Sequence, residues 1–388
     1  MDSIIQQIAT ELNKRPDHVE NVVRLLDEGN TIPFIARYRK ELHGAMDDTS
    51  LRTLEERLHY LRGLAERKEA VKSAIEEQGK LTAELSAAID TAATLAEVED
   101  LYRPYKQKRR TRATIAREKG LAPLAEALMA PDAPDPMTEA VKYVDPEKGV
   151  ETAEDALAGA SDIVAETVSD DAALRGKLRE LLMKSGVLHS QAATEEDSVY
   201  RLYYDFTQAL PKLQGHQILA INRGEKEEKL KVSVELDREL ALRTVRRSVV
   251  IPGSAAMDFL KVAAEDAYDR LIFPSLEREA RSTLTDSANE GAIGQFALNL
   301  KPLLMQPPVK GKVTMGLDPG YRMGCKVAVV DGTGKVLDTA VVYPTHGERQ
   351  KKEAIAVLSR MIRKHGVEHI AIGNGTASRE TEQMAVEL

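Results

Sequence analysis

Residues 301–312, KPLLMQPPVKGK, divide the chain into two stretches whose apolar residues recur at different periods. The Pro307-Pro308 pair cannot continue a helix, because it removes backbone donors and clashes with the preceding turn. Ahead of this run, apolar side chains mostly recur three and four apart. Behind it they fall into short runs of four to seven, separated by Gly-rich turns. One layer of secondary structure cannot satisfy both patterns, so the chain predicts a helical scaffold followed by an α/β domain.

The helical part is clearly punctuated. Ile4, Ile5, Ile8 and Leu12 share one helical face. Pro16 suits the first turn of a second helix carrying Val19, Val22, Val23 and Leu26, which Gly29 closes. Pro33 opens a third, and the three short helices are compatible with a helix-turn-helix. From Asp47 or Asp48 to Gln78 one long helix is expected, with Leu51, Leu54, Leu58 and Leu61 as a packing seam. Further helices are expected over residues 83–102, 122–129, 138–144, 151–168 and 172–184. After Pro211, residues 217–222 and 229–236 read as two strands around a turn at 223–228, giving a small β-hairpin. Helices resume over 255–299, with Pro274 as a break.

Past the linker, residues 313–317, 326–330 and 336–342 read as strands, with Asp331-Gly332-Thr333-Gly334 turning between the last two. An amphipathic helix at 348–364, a fourth strand at 367–372 and a helix from about Ser378 follow. The expected fold class is mainly α: a multi-helix scaffold with a helix-turn-helix and a small β-hairpin, then an α/β domain. The expected domains are 1–190, 191–308 and 309–388.

Composition narrows the setting. Hydrophobic residues make up 43% of the 388, enough for several cores, so the chain is neither disordered nor fibrous. Cys325 is the single cysteine, which excludes an intrachain disulfide and a Cys-based zinc site. The first residues, MDSIIQQIATELNKRP, resemble neither a signal nor a transit peptide. No run of about 18 apolar residues occurs, so no membrane partner is expected. A soluble, reducing, cytoplasmic setting follows. Net charge is −8, so contact with phosphate requires a local concentration of basic residues.

The second part opens as strand, turn, strand, turn, strand, helix, strand, and its first strand ends in Gly316-Leu317-Asp318-Pro319-Gly320. This resembles a ribonuclease-H-like domain, in the form found in Holliday-junction resolvases and the YqgF group. The continuation Tyr321-Arg322-Met323-Gly324-Cys325-Lys326 resembles Tex proteins in particular. So do the stretch from Leu26 to Glu41 (LDEGNTIPFIARYRKE), Glu99 to Lys106 (EDLYRPYK) and Ala220 to Glu225 (AINRGE). The resemblance implies an amino-terminal portion of a Tex-family transcription accessory protein, with the YqgF domain incomplete. It also implies binding to RNA or DNA beside the transcription machinery.

Three groups of residues are candidates for that work. The stretch Arg103, Lys106, Lys108, Arg109, Arg110, Arg112, Arg117 and Lys119 holds one acid, Glu118, and begins beside Tyr102 and Tyr105. Cations interleaved with aromatics suit phosphate contact and base stacking; alternatively these arginines bridge helices by pairing with the many surrounding acids. Asp318 ends a strand where open sheets bind ligands, and the resemblance makes it a metal-binding acid. A two-metal nuclease, however, holds ions roughly 4 Å apart with several carboxylates. The corresponding place after the fourth strand reads Gly373-Asn374-Gly375, without one. Asp318 is therefore expected to be vestigial, and no metal or cofactor is expected. Finally, Gly373, Asn374, Gly375 and Thr376 lead into a helix whose amides could hold phosphate, or form an ordinary turn capped by Thr376 or Ser378. The expected function is non-catalytic nucleic-acid binding. The alternatives are a metal-dependent nuclease or resolvase, and a protein-interaction scaffold.

Overall fold

The computed structural model describes residues 2–107, 109–194, 196–307 and 309–388. They cluster into two compact units, Met1–Ile293 and Gly294–Leu388. The first begins with α1 (Asp2–Glu11), α2 (Pro16–Asp27) and α3 (Ile32–Tyr38), packed on the front of α4 (Asp48–Glu76). The leucine seam of α4 is buried against Ile8, Val22 and Ile35, as its spacing requires. Pro16 lies in the first turn of α2. Asp47 caps α4 by accepting from the Ser50 amide at 2.6 Å.

Beyond Leu64, α4 packs instead against α5 (Ala83–Thr91) and α6 (Leu95–Tyr102). The single helix expected over 83–102 is thus two. Thr94 restarts the chain by accepting from the Glu97 amide at 3.3 Å, while the Glu97 carboxylate reaches back to the Ala93 amide at 2.7 Å. The largest core follows, with α7 (Arg112–Glu118), α8 (Ala122–Met129) and α9 (Pro136–Ala140) around α10 (Ala153–Ser169), and α11 (Ala172–Ser185) beside them. Small residues let α10 approach closely: a Cβ on Gly159 would lie 2.3 Å from Leu121 Cδ1.

The expected hairpin does not form. A three-stranded antiparallel sheet takes its place, from β1 (Val187–Ala192), β2 (Asp205–Ala209) and β3 (Leu230–Glu235), in the order β2-β1-β3. Residues 217–222 belong to helix α12 (Gly215–Lys226). Its buried Ile218, Ile221 and Gly224 recur every three residues, a helical spacing that a six-residue apolar window does not reveal. Helices α13 (Arg238–Val249) and α14 (Met257–Asp266) come next, then a π-helical stretch, Ala267–Ile272, and α15 (Phe273–Leu304). The break expected at Pro274 is this π stretch just ahead of it. The linker expected from Lys301 is still helical as far as Leu304, with Pro302 inside the helix.

The second unit holds a sheet of β4 (Thr314–Asp318), β5 (Cys325–Val330), β6 (Val336–Val342) and β7 (His369–Ile372), in the order β6-β5-β4-β7. The first three are antiparallel; β7 runs parallel to β4 after the crossing helix α16 (Glu348–His365). Gly366, at φ +62°, ends α16 in the left-handed conformation that favours glycine. One face, with Met315, Leu317, Val327 and Val329, is buried with Leu358 of α16 and Met384 of α17 (Ser378–Val386). The other face, with Gly316, Asp318, Lys326, Ala328, Val341 and Ala371, lines an open depression. No helix among the described residues is long and apolar enough to cross a membrane.

Candidate nucleic-acid interface

The basic segment begins where α6 ends. A 3-10 turn, Arg103–Tyr105, ends at Lys106 in extended conformation, and α7 begins after Thr111, which accepts from the Thr114 amide at 3.0 Å. This bend wraps a cavity of about 420 Å3. Lys106, Arg109, Arg112 and Arg270 contribute cations to its wall, and Glu99, Asp162, Glu166 and Asp170 contribute acids.

The basic residues then divide by what they touch. Arg110 pairs with Glu118 at 2.9 Å, and Arg117 with Glu166 of α10 at 2.5 Å. Lys119 Nζ donates to the Gly149 carbonyl at 2.7 Å. Arg103 lies 3.8 Å from Asp100, too far for a hydrogen bond, and its Nε is buried without a partner among the described residues. Burial, aided by the neighbouring Arg175 charge, lowers the Arg103 guanidinium below its ordinary pKa. Arg110, Arg117 and Lys119 are thus engaged within the fold, and Arg103 is half-buried against it. Lys106, Arg109 and Arg112 are exposed and make no ion pair with any described residue. Lys108 lies outside the described residues. Tyr102 packs under the Arg67 guanidinium at 5.5 Å, and both Tyr102 and Tyr105 lean on the core of α4 to α6, so neither ring is a free platform.

Asp318 caps β4 with its side chain 75% exposed. Lys326 on the neighbouring strand lies 3.7 Å away. Gly373 of the β7 end donates its amide to the Leu317 carbonyl at 2.9 Å, so its backbone, and no carboxylate, adjoins Asp318. Among the described residues, no group of three or more His, Cys, Asp or Glu is placed to hold a metal ion.

The turn Gly373, Asn374, Gly375 and Thr376 is exposed. Neither Thr376 nor Ser378 caps α17; its entry residue is Ala377, at φ +61°. Instead the Glu380 carboxylate accepts from its own amide and from Tyr321 Oη at 2.8 Å. The positive end of α17 is thereby matched by an internal anion, which competes with any phosphate there.

Comparison with known proteins draws these pieces together. Residues 2–76 match the Tex-like protein N-terminal domain, 132–296 the Tex central region-like model, and 312–388 the Tex protein YqgF-like domain. The chain belongs to the Tex family. It is 46% identical to Protein tex of Bordetella pertussis, over 99% of this chain and 51% of that protein. It is 42% identical to Transcriptional accessory protein Tex of Neisseria gonorrhoeae, over 100% and 51%. Against S1 RNA-binding domain-containing protein 1 of Homo sapiens the figures are 34%, 99% and 40%. The Tex chain thus spans about half the length of the bacterial relatives named here.

The Tex signature stretches now have physical roles. In EDLYRPYK, Asp100 is a buried carboxylate that accepts from Arg175 Nε at 2.7 Å and from Arg179. In AINRGE, Gly224 admits the Leu230 side chain: a Cβ there would lie 2.6 Å from Leu230 Cδ1. Arg175 was missed by the sequence reading, although its signal was present: it sits beside Leu174 and one turn from Leu178, where the apolar face of α11 calls for a hydrophobe.

Proposed function

We propose that this Tex-family chain is a nucleic-acid-binding accessory of the transcription machinery, and that it binds without cleaving. The observation that carries the reading is the set of three exposed cations around the cavity at the head of α7, Lys106, Arg109 and Arg112, which have no acid partner among the described residues. In a chain of net charge −8, such cations concentrate positive potential where a phosphodiester backbone can reach it. The relatives named for transcription and for RNA binding favour the same reading. Catalysis is disfavoured because one exposed carboxylate, with a lysine beside it, cannot balance two divalent ions.

The test measures binding of single- and double-stranded RNA and DNA oligonucleotides across a salt series. Replacing Lys106, Arg109 and Arg112 with Ala should weaken binding whatever the base sequence. The slope of log K against log salt should flatten by about 0.7 to 0.9 per lost contact, roughly 2 to 3 in all. Unchanged affinity and slope would refute the interface. With Mg2+ or Mn2+ the same oligonucleotides should stay intact; cleavage that disappears in Asp318→Asn would promote Asp318 to a catalytic residue.

A further inference from the structure

Helix α3 buries Ile32 and Ile35 and turns its opposite side outward. That side carries a stack of four side chains. The Arg39 guanidinium lies 5.1 Å from the centre of the Phe34 ring, the Phe34 and Tyr38 ring centres are 5.3 Å apart, and the Arg37 guanidinium lies 6.0 Å from the Tyr38 ring. Tyr38 is 56% exposed. Arg39 Nη1 donates to the Tyr38 carbonyl at 3.0 Å, which holds the stack in place. Among the described residues, Arg37, Arg39 and Lys40 form no ion pair, and neither does the adjoining Glu41.

We infer that the outer face of α3, built on Tyr38 with Arg37, Arg39 and Lys40, is a contact surface for single-stranded nucleic acid, separate from the cations at the head of α7. This rests on the nucleic-acid reading above and adds the class of strand. The Tyr38 ring is 56% exposed, and an unpaired base can displace the Arg37 guanidinium, 6.0 Å from its centre, and stack in its place, leaving Arg37, Arg39 and Lys40 as cations for phosphates. A duplex offers phosphates but no free base faces. An acidic peptide offers charge but nothing to stack, and would leave the ring idle.

The test compares the chain with Tyr38→Leu and with Arg37→Gln/Lys40→Gln. Each is titrated with a fluorescent 12-nucleotide single strand, as RNA and as DNA, and with the matching duplex. Tyr38→Leu should weaken single-strand binding about tenfold and leave duplex binding within about twofold. Arg37→Gln/Lys40→Gln should lower the single-strand salt slope by about 0.7 per residue. A 4-thiouridine strand should photocrosslink to the peptide containing Tyr38. Because Tyr38 is half exposed, melting temperatures should be unchanged, which separates contact from folding. Full single-strand affinity in Tyr38→Leu, with Lys106, Arg109 and Arg112 still sensitive, would overturn this inference and spare the function. No binding by the unaltered chain would overturn both. Binding of an oligo-glutamate peptide that Arg37→Gln/Lys40→Gln abolishes, with single-strand binding untouched, would reassign the surface to acidic proteins.

Discussion

Asp100→Ala should destabilise the helical unit by about 3–5 kcal/mol, as read from chemical denaturation. Asp100 is 5% exposed and Arg175 not at all. Arg175 Nε donates to Asp100 at 2.7 Å and Nη2 to Ser275 Oγ at 2.9 Å, joining α6, α11 and α15 around one carboxylate. Arg179 shares that carboxylate and also reaches Glu279. Without Asp100, the Arg175 charge would stay buried with Ser275 as its remaining hydrogen-bond partner, beside two other guanidinium groups. Removing both charges should cost much less, so Asp100→Ala combined with Arg175→Met should recover most of the loss. A single-variant loss under about 1 kcal/mol, or a double variant no better than the single, would show that the pair is not what holds these helices.

Gly324→Ala should loosen the second unit and leave the first alone. Gly324 has φ +72°, in the left-handed region, where a residue with a Cβ costs about 1–2 kcal/mol. There is also no room: the added carbon would lie 2.7 Å from the Val342 carbonyl oxygen and 2.7 Å from Tyr343 Cε1. Tyr343 can swing aside, but the carbonyl is backbone of β6 and moves only if the β5–β6 pairing moves. Amide exchange should therefore accelerate across Cys325–Val330 and Val336–Val342, with α10 and α11 unchanged. Equal exchange in the variant would mean that the loop relaxes without disturbing the sheet.

Much of this architecture was legible, for a local reason. Pro16, Asp47 and Gly366 act within one turn of themselves, and the leucine seam of α4 repeats often enough to be unambiguous. The failures share the opposite property. Residues 217–222 are an apolar run too short for its period to separate helix from strand, and tertiary packing against β3 decides the matter. In β1 the sequence His189-Ser190-Gln191 has little apolar character, yet it is the middle strand, because β2 and β3 supply its partners from 14 and more residues away. The candidate interface was legible as a charge run, but not its division. That Arg117 meets Glu166 while Arg112 pairs with no acid among the described residues depends on how α7 lies across α10. The stack on α3 was not legible either: Phe34, Ile35 and Tyr38 share one apolar helical spacing, yet Ile35 is buried, Phe34 half-buried and Tyr38 exposed, which only the packing of α3 decides.

The π-helical stretch Ala267–Ile272 makes length as decisive here as chemistry. A π turn absorbs one residue beyond the α-helical count, so α15 leaves it rotated by about 100° from the course of an uninterrupted helix. That rotation is what aims Ser275 and Glu279 at Arg175 and Arg179. Losing a single codon within 267–272 would produce a more regular helix, with every backbone bond made, and would swing both side chains off the arginines. The chain could thus lose stability by becoming locally more ideal, an indel effect that no side-chain substitution scan of the same segment would expose.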